Sequence, residues 1–167
     1  MKLLICQDHE IALIGREKGE IDANLWIGDS GATSHITCCE IGMFDIKPSS
    51  QKITVGDGRH VKVEKTGKMK INFEGRNQES TQVLLENVKF VPEMKVNLFS
   101  LTVAMEKGAS LYSEGTSMVL KKDEKRIFFD TKIKMGSSFL VAAKSIKNEE
   151  GAFILSERKE MKIEKFH

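Results

Sequence analysis

Short runs of alternating apolar and polar residues, separated by turn residues, make up most of the chain. This pattern is typical of half-buried β-strands, and the spacing of amphipathic helices is scarce. We therefore predict strands at 11–14, 21–27, 52–55, 59–63, 67–73, 96–100, 118–120, 127–129 and 138–141. Residues 81–91 are predicted as one long strand or two short ones. A short helix is predicted at 101–107, where Gly108 ends it. The pattern indicates an all-β domain with one short helix.

Two connections carry turn-type residues. Residues 38–44 read as an irregular or short helical connection, and residues 45–50 read as a turn because Pro48 lies within them. The clearest hairpin surrounds residues 56–58, Gly-Asp-Gly, which suit a tight turn with positive φ angles. In a hydrolase such a tip could close over an extended substrate as a flap, whereas an ordinary surface hairpin is the simpler interpretation.

An acidic residue directly follows one of the most apolar strands. The run Leu25 to Ile27 leads through a glycine into Asp29, Ser30 and Gly31. A carboxylate in this position loses water, and it must be paired, heavily hydrogen-bonded or protonated to be tolerated. Asp29 is therefore either a turn-forming residue that caps its own loop or a residue with chemistry to perform.

The length allows one domain with a modest core, and the charge gives no reason to expect a polyanionic partner. The chain has 167 residues, of which 40% are hydrophobic and 30% charged. It has 26 Lys and Arg against 24 Asp and Glu, a formal charge of +2. We expect no direct nucleic-acid binding from so even a balance.

The cysteines and the apolar runs bear on the compartment. Cys6, Cys38 and Cys39 are an odd number with two adjacent members, which is a poor basis for a disulfide framework and favours a reducing compartment. The N-terminal apolar run is too short for a signal peptide, and no run approaches membrane-spanning length. We expect a cytoplasmic protein with no membrane partner.

The stretch WIGDSGATSHIT, residues 26–37, resembles the active-site loop of aspartic proteases, in particular the protease of Copia-type retrotransposon polyproteins. The order of the predicted elements is similar to that of retroviral-type proteases: a hairpin, the Asp loop, a glycine hairpin, two strands, an apolar strand and a short helix. Val91-Pro92 followed by Asn97-Leu98-Phe99-Ser100 fits the Copia version. The resemblance covers about residues 11 to 142.

The resemblance implies an aspartic endopeptidase that processes a Gag-Pol polyprotein, with Asp29 as the catalytic residue. Such a reaction needs two carboxylates that share a proton. The chain has one Asp-Ser-Gly, so the second carboxylate must come from a second copy in a homodimer. The other implied site residues are Ser30, Gly31 and Ala32 in the active-site loop, Val55, Gly56, Asp57 and Gly58 in the flap, and Leu98, Phe99 and Ser100 in the supporting strand.

The resemblance also implies a retropepsin-like fold, a closed β-barrel-like domain with one short helix and additional C-terminal β-hairpins. We divide the chain into an N-terminal flank at 1–10, a protease core at 11–108, a hairpin extension of the same domain at 109–143 and a charged tail or linker at 144–167. The expected partners are a second copy and a polyprotein or extended peptide, with no cofactor and no metal. The implied location is the cytoplasm, within virus-like particles.

The chain departs from the family pattern in several places, one of them directly before Asp29. Gly28 stands where an apolar residue is usual before the catalytic Asp, which predicts weaker packing beneath the loop.

Other functions remain open from the sequence. A domesticated retropepsin-like domain could dimerise and bind extended peptides without cutting them. Ser34 with His35, or Cys38 and Cys39 with His35 or His60, could pair a nucleophile with a base, but no oxyanion-hole signature or glycine elbow accompanies them. The four His and three Cys lack the paired spacing of a metal site.

Overall fold

The computed structural model describes residues 22–55, 58–135 and 137–146. Within them the protein consists of strands and one short α-helix, which confirms the all-β class. The strands are β1 (Leu25–Asp29), β2 (Ile36–Thr37), β3 (Met43–Pro48), β4 (Lys52–Thr54), β5 (His60–Lys62), β6 (Lys65–Glu74), β7 (Ser80–Phe90), β8 (Asn97–Ser100), β9 (Ser110–Glu114), β10 (Ser117–Lys122), β11 (Lys125–Phe129), β12 (Thr131–Met135) and β13 (Ser138–Ile146). Helix α1 is Leu101–Glu106, and a 3-10 turn covers Pro92–Met94.

Six strands close into a ring, as a barrel-like domain requires. Their order is β13-β1-β8-β2-β7-β6, and β6 pairs back onto β13 through Phe73–Ser145 and Asn72–Ile146. Strand β12 extends the sheet beside β13, and β3 extends it beside β6. Two smaller sheets, the hairpin β4–β5 and the antiparallel β9-β10-β11, stand apart from the ring in hydrogen bonding.

The central strands β1 and β8 run parallel and are buried on both faces. Trp26 and Phe99 face one cluster, here called the Phe99 core, to which β10 and β11 contribute Leu120, Ile127 and Phe129. Ile27 and Leu98 face a second cluster, the Leu98 core, which also holds Val61 and Val63 from the glycine hairpin. A parallel pair covered on both sides has continuous apolar runs rather than alternation, which accounts for the sequences Leu-Trp-Ile and Leu-Phe.

Helix α1 begins directly where β8 ends. Ser100 is its N-cap, and the Ser100 hydroxyl accepts a hydrogen bond from the Val103 N–H at 3.1 Å. The helix ends at Lys107, and Gly108 follows with φ of +96°. The predicted helix and the glycine that ends it are therefore confirmed. The first turn of the helix lies next to the end of the central strand pair.

Several local predictions differ from the structure. Residues 45–50 were predicted as a turn, but most of them belong to β3, an irregular edge strand with a bulge between Phe44 and Lys47. Pro48 is tolerated because it ends an edge strand, where its missing N–H costs no sheet pairing. The strand predicted at 21–27 is β1, which starts at Leu25 and continues to Asp29. Strands β2, β9 and β12 were not predicted.

The C-terminal strand is longer and more central than predicted. Strand β13 was expected to end at residue 141, yet it continues to Ile146, so residues 144–146 of the predicted tail belong to the sheet. It also lies directly beside β1, whose Trp26 is paired with Ala143. The predicted flank at 1–10, the strand at 11–14 and residues 147–167 lie outside the described residues. In the part that the structure describes, no helix is long and apolar enough to cross a membrane.

Candidate active site

Asp29 lies at the carboxyl end of β1, in register with Ser100 at the end of β8. Both residues are fully buried. The two strands bring the Asp loop, residues 29–32, next to the start of α1. The predicted active-site loop and the strand predicted to support it are therefore neighbours.

The two oxygens of the Asp29 carboxyl group have different surroundings. Oδ1 accepts a hydrogen bond from the Gly31 N–H at 2.7 Å, which is the local turn expected of a loop-capping Asp. Oδ2 is buried and has no hydrogen-bond partner. An unpaired buried polar atom costs about 1–3 kcal/mol. The turn-forming interpretation therefore accounts for Oδ1 and leaves Oδ2 unexplained.

Burial also changes the acidity of this group. It raises the pKa of Asp29 above the ordinary aspartate value, and the hydrogen bonds from the Gly31 and Ala32 backbone oppose the rise without cancelling it. Asp29 consequently holds its proton to higher pH than an exposed aspartate does. A buried carboxyl group with a perturbed pKa and an unused oxygen is a candidate for acid–base chemistry.

Two hydroxyl groups from β8 and α1 hold the Asp loop by its carbonyls. Thr102 Oγ1 donates to the Ser30 carbonyl oxygen at 2.6 Å, and Ser100 Oγ donates to the Ala32 carbonyl oxygen at 2.6 Å. Ser100 was predicted as part of the supporting strand, whereas Thr102 was missed. Its only sequence signal was its position in the first turn of a helix predicted to follow that strand.

His35 is buried beside the same loop. Its Nδ1 accepts the Ser100 backbone N–H at 3.0 Å, and its ring lies 4.7 Å from the Phe99 ring, centre to centre. Burial, and to a lesser extent the positive charge of Lys107, lower the pKa of His35 to about 4. Since Nδ1 is engaged by a backbone amide, this nitrogen is not free to act as a base for Ser34 or the two cysteines.

The other histidine of that alternative lies elsewhere. His60 is on the exposed face of β5, where its Nδ1 is 3.1 Å from the Thr54 hydroxyl oxygen. The structure therefore gives no support to a nucleophile–base pair involving His60.

Gly28 lies tightly against an aromatic neighbour. A Cβ atom at this position would lie 3.0 Å from Cδ1 and Cε1 of Phe129 and 3.6 Å from Cδ1 of Leu101. The prediction that Gly28 weakens the packing beneath the loop is therefore wrong. The fully buried Phe129 ring fills the space that a side chain at position 28 would take.

The supporting strand and the predicted flap meet in the Leu98 core. Leu98, Phe99 and Ser100 are all buried, and Leu98 lies in the same core as Val55 from the base of the hairpin. Gly58 is exposed, has φ of +86°, and donates its N–H to the Val55 carbonyl at 2.9 Å. Gly56 and Asp57 lie outside the described residues.

A second buried polar residue, Asn97, lies at the opposite end of the same strand pair. Its Oδ1 accepts from the Thr37 hydroxyl at 3.0 Å and from the Cys38 N–H at 3.1 Å, and its Nδ2 donates to the Ala23 carbonyl at 2.8 Å. Sequence reasoning gave this residue no role of its own, although a polar residue inside an apolar strand was the available signal.

The described ranges contain no cluster that could hold a metal ion and no second buried carboxylate. Residues 22–55, 58–135 and 137–146 contain no group of three or more His, Cys, Asp or Glu side chains that could hold a metal ion. Among these residues, Asp29 is the one buried carboxylate. A pair of acids sharing a proton would therefore need a carboxylate from another molecule or from residues outside these ranges.

Comparison with known proteins agrees with the barrel-like fold. Residues 26–109, about half of the chain, match the family described as "Pol polyprotein, beta-barrel domain". No curated protein and no solved structure shows a significant match. The matched segment begins at Trp26 in β1 and ends just after α1, so it contains the Asp29 loop, the glycine hairpin and β8. The chain belongs to the Pol polyprotein beta-barrel domain family, a family of retroelement Pol regions.

Proposed function

We propose that the protein is the aspartic endopeptidase of a Copia-type retroelement, which processes a Gag-Pol polyprotein as a homodimer. The observation that carries the proposal is the state of Asp29. It is a buried carboxyl group with a raised pKa, and its Oδ2 has no partner within the chain. A second carboxyl group beside Oδ2 would satisfy this atom and create the shared-proton pair that peptide hydrolysis by this route requires.

The proposed reaction divides the work between two copies of Asp29. The ionised carboxylate takes a proton from a water molecule, which attacks the peptide carbonyl carbon, while the protonated carboxyl polarises the carbonyl oxygen. The raised pKa suits this role because one of the two groups must keep its proton near neutral pH.

The loop geometry supports binding of an extended peptide. Gly31 is exposed, and it lies between two carbonyls that Thr102 and Ser100 hold in place. The N–H of Gly31 is used by Asp29 Oδ1, and its carbonyl would accept a hydrogen bond from an extended substrate, as in an added strand. The glycine hairpin, with Val55 anchored in the Leu98 core, would cover the other side of the peptide.

One observation favours the alternative, a domesticated domain that dimerises and binds peptides without cutting them. Asp29 is wholly shielded in the single chain, so water reaches Oδ2 only if the surroundings of the loop move on dimerisation. A domain that never makes this movement would bind peptides and leave them intact.

Cleavage of peptides by matched variants tests the proposal. The purified 167-residue protein is incubated with peptides that span the boundaries of its own polyprotein, and the products are identified by mass spectrometry. Asp29→Asn is compared with Asp130→Asn. The control makes the same chemical change at an exposed carboxylate, which lies 3.7 Å from the Arg76 guanidinium.

We expect cleavage by the wild type and by Asp130→Asn, and none by Asp29→Asn. Equal cleavage by all three would reject Asp29 as the catalytic residue. Binding without cleavage by all three would establish the alternative. Sedimentation of the same samples should show a dimer, and a strict monomer that cleaves would contradict the two-copy mechanism.

A further inference from the structure

His35 is a buried titratable residue that the proposed reaction does not use. It lies three residues after Ala32 in the chain, and 4% of its surface is exposed. Its ring packs on Phe99, and Nδ1 accepts the backbone N–H of Ser100. When a buried histidine accepts a hydrogen bond from a backbone amide, that hydrogen bond depends on the protonation state of the ring.

The Ser100 amide is the point where the strand pairing stops. The register of β1 with β8 ends at Asp29 and Ser100, and beyond it the chain turns into α1. The imidazole of His35 supplies the acceptor for the Ser100 N–H. The hydroxyl of the same residue donates to the Ala32 carbonyl, so Ser100 joins His35 to the loop that follows Asp29.

We propose that His35 is a positioning residue of the Asp29 site, which holds Ser100 through an unprotonated Nδ1 and thereby fixes the loop at Ala32. The imidazole accepts at Nδ1 only when its proton is on Nε2. Protonation of the ring places a second N–H at Nδ1, facing the N–H of Ser100, and the hydrogen bond is lost. The neutral ring therefore maintains the site, and the imidazolium releases it.

The surrounding charges favour the neutral ring. Lys107, directly after α1, adds a positive charge that opposes protonation, and burial opposes it more strongly, with a pKa of about 4 as the result. Asp29 at the end of β1 and Cys38 after β2 are titratable groups on adjoining elements. Burial raises the pKa of each, which favours its neutral form. Lys89 on β7, whose backbone N–H donates to the His35 carbonyl, is a further positively charged residue near by. The hydrogen bond is thus intact at neutral pH and is lost as the pH falls through about 4.

Two substitutions separate positioning from space filling. In His35→Asn, the side-chain Oδ1 stands near the place of Nδ1 as an acceptor that does not titrate. In His35→Phe, a ring still packs on Phe99 but no acceptor remains. His60→Asn is the matched control, because it makes the same chemical change on the exposed face of the glycine hairpin.

The measurements are the hydrogen-exchange protection of the Ser100 amide and the titration of the Asp29 carboxyl carbon, both by NMR on the full chain. In His35→Phe we expect the Ser100 amide to lose protection by about tenfold or more and the Asp29 midpoint to shift. In His35→Asn we expect wild-type values at neutral pH and no loss of protection near pH 4, where the wild type loses it. His60→Asn should match the wild type throughout.

Equal Ser100 protection in all four proteins at every pH would overturn the inference. So would a wild type whose protection below pH 4 matches that of His35→Asn. If His35→Phe does not fold, the comparison of the wild type with His35→Asn across pH still decides. Only the consequence for catalysis rests on the proposed function, and neither readout requires proteolysis, so a protein that cleaves nothing leaves this test intact.

Discussion

Strands β1 and β8 carry a buried polar side chain at each end of their pairing, and the two ends are built differently. At one end, Asn97 lies in register with Trp26, and its amide is hydrogen-bonded through both Oδ1 and Nδ2. At the other end, Asp29 lies in register with Ser100, and one of its carboxyl oxygens has no partner. Both side chains are almost completely shielded from solvent.

The difference separates a structural polar group from a functional candidate. Buried polar atoms in folded proteins are nearly always paired, so a fully paired residue such as Asn97 needs no explanation beyond stability. An unpaired oxygen is retained at a cost to stability, and that cost is expected where a site awaits a partner or a substrate. Three substitutions test whether the two ends differ in this way.

The largest effect is expected at the paired end. Asn97→Ala removes the side-chain acceptor of the Cys38 N–H and one of the two acceptors of the Thr37 hydroxyl, and it empties the space of a buried side chain. We expect the free energy of unfolding to fall by about 3 kcal/mol or more, measured by urea denaturation.

The control is an amide on the surface. Gln82→Ala truncates an exposed side chain on β7 and should change stability by less than about 0.5 kcal/mol. A loss of similar size in both variants would mean that the Asn97 network does not hold the strand pair together.

An intermediate effect is expected just before Asp29. Gly28→Ala places a methyl group 3.0 Å from the ring of Phe129, and the overpacking should cost about 1–3 kcal/mol. Because the clash involves one ring, combining the change with Phe129→Leu should cost less than the sum of the two single substitutions. Strict additivity in urea denaturation would show that Phe129 is not what excludes a side chain at position 28.

The sequence predicted those parts of the fold that depend on local signals. The apolar runs of β1 and β8 marked them as buried strands, the glycines at 56 and 58 marked the hairpin, and Gly108 marked the end of the helix. Strand β12 was missed although Lys132, Ile133 and Lys134 alternate, because the run is only five residues long and lies at the edge of the sheet. Its position depends on pairing with β13, which a short window of sequence does not reveal.

The site was predictable to a similar extent. Asp29 stood out because a carboxylate after an apolar strand needs a reason. The contacts of His35 with Ser100 and of Thr102 with Ser30 were not predictable, since strand pairing joins residues far apart in the chain. The role of Gly28 depended on Phe129, which arrives from β11. The contacts of the site residues therefore depend on packing between distant parts of the chain, which local sequence patterns do not reveal.

The smallest effect on stability is expected at the unpaired end, and its sign depends on pH. Asp29→Asn keeps the volume and the acceptor for the Gly31 N–H, so at pH 4 the variant should lie within about 1 kcal/mol of the wild type. Because the pKa of Asp29 is raised by folding, the wild type loses stability as the pH rises through that pKa, whereas the variant does not. The free energy of unfolding of the variant should therefore rise relative to that of the wild type between pH 4 and pH 8. The pKa of His35 is about 4, so its ring is neutral over most of this range. A constant difference across this range in urea denaturation would show that Asp29 is not held toward its protonated form, and the contrast with Asn97 would then lose its physical basis.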